Sequence, residues 1–98
     1  MPIASGIFTT GLTSGIGTTA IHLGTGYVRC VFGVLVKAHR SNAGIVYVGP
    51  EGVTAETAAA TDGYPLAASE EVFIQIDDIG KIYVIASQAD QKASYVVV

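Results

Sequence analysis

Acidic side chains are missing from the first fifty residues of this 98-residue chain, and charge of either sign is scarce throughout. Only 13% of the residues are charged, against roughly 25% in an ordinary soluble domain. Arg29, Lys37 and Arg40 are the only charges before Glu51, and all eight acids lie from Glu51 onward, so a net charge of -3 hides a basic first half and an acidic second half. Five scattered cations do not make the clustered basic patch that nucleic acid requires, and no nucleic-acid partner is expected. Cysteine occurs once, at Cys30, which excludes an intrachain disulfide framework. No run of about 18 apolar residues is present, and the N-terminus Met-Pro-Ile-Ala-Ser-Gly lacks the basic start of a signal peptide. The expectation is a chain made in a cytoplasm, with no membrane partner.

Hydrophobic residues, by contrast, make up half of the sequence. A domain this small buries only about 60 to 70% of the surface its unfolded chain exposes, so its stability margin is thin. Subunit association is the common remedy when disulfides and metals are absent, and the low charge content points to apolar surface buried between chains.

Residues 1–26 hold six of the twelve glycines, many threonines and no charge. They read as a Gly/Thr-rich N-terminal arm whose Ile7, Phe8 and Leu12 want a partner surface. The alternative is that the segment supplies one or two ordinary strands, for instance 18–23. From Tyr27 the period is two, and residues 27–98 read as a β-sandwich domain. In 27–38 one face carries Val28, Cys30, Phe32, Val34 and Val36, while the other mixes Arg29 and Lys37 with Val31 and Leu35, as in a strand whose outer side is partly covered. Ser41-Asn42-Ala43-Gly44 reads as a turn and 45–48 as the returning strand. Residues 49–66, with Pro50, Gly52, Gly63 and Pro65, read as a long surface loop with one helical turn over 56–60.

Val72, Ile74 and Ile76 alternate with polar positions in the next strand, which turns Phe73 outward. Asp77 to Gly80 reads as a hairpin with Gly80 at a left-handed position. Strands over 81–87 and 93–98 complete the set. Short strands at this spacing, with no long amphipathic helix, predict an all-β fold: a small antiparallel sandwich or barrel of six to eight strands. The terminal Tyr95-Val96-Val97-Val98 would be an aggregation hazard at an open edge, so with Phe73, Tyr83 and Ile85 it is expected at or near a subunit interface. Arg29, Lys37 and Arg40 are expected to face acids of a neighbouring subunit or of a larger shell that the chain binds.

Chemistry finds few candidates. Cys30 falls on an apolar strand face, where a thiol is buried and inert. His39 reaches Ser41 only as a neighbour round a turn, and His22 and His39 have no carboxylate at metal-ligand spacing. The pairs Glu70-Glu71 and Asp77-Asp78 lack the alternating oxygen pattern of a calcium loop. Gly15-Ile16-Gly17 and Gly24-Thr25-Gly26 lack the strand, helix or lysine of a phosphate loop. No enzyme, cofactor or metal is expected.

Asn42-Ala43-Gly44-Ile45-Val46-Tyr47-Val48-Gly49, then Gly63-Tyr64-Pro65-Leu66, then Asp77-Asp78-Ile79-Gly80-Lys81-Ile82-Tyr83-Val84-Ile85-Ala86 with Gln91 and Tyr95, resemble the pattern of small tailed-phage virion structural proteins. The resemblance runs from about Tyr27 to the C-terminus, and this chain has Ala68-Ser69-Glu70 where many members have Pro-Gly-Glu. It implies a capsid decoration or cement protein on the virion surface, binding the major capsid protein as a homo-oligomer, with a trimer preferred for threefold positions. It equally admits a head-fibre or tail appendage module that binds host glycans. It carries no catalytic residues.

Overall fold

A computed structural model describes residues 9–24, 30 and 32–98, and these residues form eight short strands. They are β1 (Thr9–Ile16), β2 (Ile21–His22), β3 (Val34–Ala38), β4 (Val46–Gly49), β5 (Tyr64–Leu66), β6 (Glu71–Ile74), β7 (Tyr83–Ala86) and β8 (Gln91–Val97), with one 3-10 turn at Ile79–Lys81. Two four-stranded antiparallel sheets result, ordered β1-β8-β3-β6 and β2-β7-β4-β5. The all-β sandwich is as the alternation predicts. Between the sheets lie Val34, Val36 and Ala38 from β3, Val46 and Val48 from β4, Val84 and Ala86 from β7, and Ala93 and Val97 from β8. Fully burying a side chain of valine or isoleucine size contributes about 1.5 to 3 kcal/mol, which makes this inner layer the main source of stability.

Of the uncharged N-terminal segment, residues 9–24 follow the alternative reading and contribute a strand to each sheet. β1 pairs with β8, and β2 with β7. Thr13 lies opposite Ala93 and Ile16 opposite Gln91, so β1 spends one residue more than β8 over this stretch. Gly15 supplies that bulge at a φ of 68°, a conformation that glycine adopts without a Cβ penalty. The extra residue resets the alternation and turns Ile16 inward, where it is fully buried along with Leu23. Residues 1–8, 25–29 and 31 lie outside the described residues, and with them the expected boundary at residue 26 and the outward place of Val31.

The two expected hairpins are corrected. β3 and β4 lie in different sheets, so Ser41 to Gly44 is a corner that crosses the sandwich. Likewise β6 and β7 lie in different sheets, and Asp77 to Lys81 is a crossing built on the 3-10 turn. Gly80 is not among the residues of positive φ; its N–H is held instead by Asp78 Oδ1 at 2.8 Å. Both corners contain turn residues, and turn composition does not say to which sheet the chain returns. Among the described strands only β4 and β5 are consecutive in one sheet, with Tyr47 opposite Pro65.

Two further expectations differ from the structure. Of the strand expected over 27–38, the described part is β3 from Val34, and residues 27–29 and 31 lie outside the described residues; Gly33 (φ 150°), just before β3, passes so close to the Ile74 carbonyl that a Cβ there would collide with it. Phe32, expected inward, is 38% exposed. In the 49–66 segment, Tyr64 to Leu66 is a strand, and no helical turn forms over 56–60, where Glu56 and Ala58 take φ values of 55° and 58°.

Candidate functional site

The outer face of the β1-β8-β3-β6 sheet gathers the apolar side chains that the core does not use. Period-two geometry sends alternate residues outward, and the registers line them up across all four strands. Thr10 stands opposite Val96, Val96 opposite Leu35, and Leu35 opposite Phe73. One step along the strands, Leu12 stands opposite Ser94, Ser94 opposite Lys37, and Lys37 opposite Glu71. Leu12 is 55% exposed and Phe73 47%. Between Leu12, Leu35, Lys37 and Val96 runs a shallow groove of about 450 Å³. The Phe73 ring lies over Gly33, where a Cβ would come within 2.9 Å of its Cζ.

Three of the residues singled out from the sequence share this face: Leu12, Lys37 and Phe73. Arg40 follows β3 and is exposed beside Lys37, His39 and Ser94 around a depression of about 250 Å³. Tyr83 and Ile85 are on the other sheet. There Tyr83 stacks on His22 with ring centroids 4.3 Å apart, and Ile85, opposite Tyr47, is only 8% exposed. Tyr95 turns inward: its ring lies where a Cβ on Gly11 would be, and it packs against the core. Ile7, Phe8 and Arg29 lie outside the described residues. Alternation already turns Leu35 outward with Lys37, but that Leu35 lies between Val96 and Phe73 follows only from the register, which local alternation could not supply.

Polar side chains serve mainly to hold loops. His39 Nδ1 lies 2.7 Å from Ser41 Oγ and also accepts the Ser41 backbone N–H at 3.1 Å. That N–H competes for the lone pair a general base would use, so the pair reads as a turn clasp. Asp62 gathers the loop after β4, accepting from Thr54 Oγ1 (2.7 Å), Thr57 Oγ1 (2.5 Å), Thr57 N (3.0 Å) and Ala58 N (2.9 Å). The Thr57 and Thr54 hydroxyls lead in holding its carboxyl below the ordinary aspartate value, with the two backbone N–H groups adding to them. Tyr47 donates to Glu56 Oε1 at 2.9 Å, and burial first, then that bond, raises its phenol above the usual tyrosine range.

Cys30 is buried, and desolvation raises its thiol above the ordinary value. Among the described residues no group of three or more His, Cys, Asp or Glu side chains could hold a metal ion. No helix among them is long and apolar enough to cross a membrane.

Fold and face together define a class: a small antiparallel β-sandwich with an apolar outer sheet face. Compared with protein-family models, with curated proteins and with solved structures, the chain matches none.

Proposed function

We propose that this chain is a virion structural protein, a decoration or cement protein that binds the capsid surface as a homo-oligomer and stabilises the shell. The observation that carries the reading is the row Val96, Leu35 and Phe73 on the outside of one sheet, with exposed Leu12 one step along β1, in a chain with only 13% charged residues. Contiguous exposed apolar surface of this kind marks an assembly surface. A ligand that binds only the assembled shell stabilises it by mass action, without chemistry of its own. On this reading the chain is made in a host cytoplasm and ends on the particle, with the major capsid protein as its partner. The test is incubation of the purified chain with mature phage heads, followed by sedimentation and electron microscopy. Density at regular capsomer positions, lost on Leu12→Glu, is the expected result; no cosedimentation overturns the reading.

A second reading, a fibre or tail module that binds host glycans, draws on Tyr64. That ring is 59% exposed and borders a depression of about 360 Å³ together with Glu70 and Glu71. An aromatic face beside carboxylates can stack on a sugar and accept its hydroxyl protons. Glycan-array binding lost on Tyr64→Ala, without affinity for heads, would favour it.

A further inference from the structure

We infer that the β3 and β6 half of the outer face is a homotypic contact, closed by a second copy of this chain about a twofold axis parallel to the strands. The register carries the inference. Leu35 stands opposite Phe73 and Lys37 opposite Glu71, at the same two heights of adjacent strands. An axis running between β3 and β6 lays each strand over the other in the partner copy. Leu35 then meets the partner's Phe73 position, and Lys37 meets the position of Glu71. One operation therefore pairs apolar with apolar and cation with anion, twice over, as an isologous contact requires.

Displacing the axis onto β3 would instead set Lys37 against its own copy, a like-charge contact that costs affinity. Lys37 and Glu71 are both exposed and, although adjacent, form no ion pair with each other; the ion pair between described residues is Lys81 with Asp77. Both charges thus remain available to a neighbour.

The inference deepens the assembly reading by naming which surface meets a copy, and it leaves Leu12 and the β1 and β8 side of the face for the shell. Twofold pairing gives even copy numbers, in place of the threefold order that icosahedral positions suggest.

The experiment uses the isolated full chain, so it is decided independently of any attachment to heads. Wild type, Lys37→Glu and Glu71→Lys are compared by sedimentation velocity at high micromolar concentration, each alone and the two variants mixed in equal amounts. Wild type is expected as a dimer, and each variant alone is expected to dissociate about tenfold more readily, because all four facing charges then repel. In the mixed pair every reversed side chain faces an opposite charge, so mixing restores the dimer. Within each chain the like-charged neighbours remain, so a merely structural effect of the substitutions would not be reversed by mixing. A monomeric wild type overturns the inference, as do variants that associate like wild type or a mixture that behaves as the average of its components.

Discussion

The carboxamide of Asn42 stands in for a strand partner at Lys92: its Nδ2 donates to the Lys92 carbonyl at 2.7 Å while its Oδ1 accepts the Lys92 N–H at 2.8 Å. One residue along, the buried Gln91 accepts the Gly44 N–H at 2.9 Å and donates to the Ala89 carbonyl at 2.6 Å. Two amide side chains thus pin the crossing from β3 to β4 onto the start of β8. Asn42→Ala is expected to lower unfolding stability by about 1 to 3 kcal/mol, since the Lys92 N–H loses its partner while the Lys92 carbonyl keeps only the His39 N–H at 3.0 Å. Urea denaturation measures this, and an unchanged midpoint would show the crossing to be held some other way.

Gly33→Ala is expected to be among the most damaging single substitutions outside the core. The residue has a φ of 150°, and an added Cβ would meet the Ile74 carbonyl, which belongs to backbone and cannot swing aside. A loss of about 2 to 4 kcal/mol follows from strain and displacement of β6 from β3. By contrast Gly52→Ala, in open space at a φ of 86°, meets only the conformational penalty and should cost less. Thermal melting of the two variants side by side checks the order.

Acid should loosen the loop after β4 before it unfolds the sandwich. The Asp62 carboxyl is held below its ordinary value of 3.8 by the Thr57 and Thr54 hydroxyls. A carboxyl depressed in the folded state contributes stability that is fully present above its unfolded value and is lost as pH falls through the folded one. The amide resonances of Thr57 and Ala58, whose N–H groups donate to this carboxylate, should therefore titrate with a midpoint below 3.8. In Asp62→Asn that transition should vanish. A midpoint above 3.8 in wild type would contradict the clasp.

Cys30 is expected to resist thiol reagents at neutral pH in the folded protein and to react fully in denaturant. Burial both blocks access and keeps the group as thiol, whereas the thiolate is the nucleophile. Rapid labelling of the native chain with a small aromatic disulfide would show the surroundings of Cys30 to open readily.

Much of this architecture was legible beforehand because it is local. The period of two assigns Val34 and Val36 inward with Leu35 and Lys37 outward, and it turns Phe73 out of β6, as the structure has it. Lys37 and Phe73 were therefore recognisable as surface residues, and Leu12 was singled out as part of an apolar N-terminal arm in want of a partner. Their meeting on one face was not legible, because it depends on β8 lying between β1 and β3. Tyr95 shows the opposite outcome: its ring turns into the sandwich because Gly11 leaves room beneath β1.

The sequence by itself determined an all-β chain, the approximate places of its strands and which side of most of them is apolar, since alternation follows from the geometry of each strand alone. Tertiary structure decided that almost every connection crosses from one sheet to the other, that Gly15 resets the phase of β1 to bury Ile16, and that Leu35 and Val96 line up with Phe73. Strand partners are chosen by closing two apolar layers upon each other over long stretches of chain. That choice rests on the summed burial of residues far apart in sequence, which no short window of residues contains.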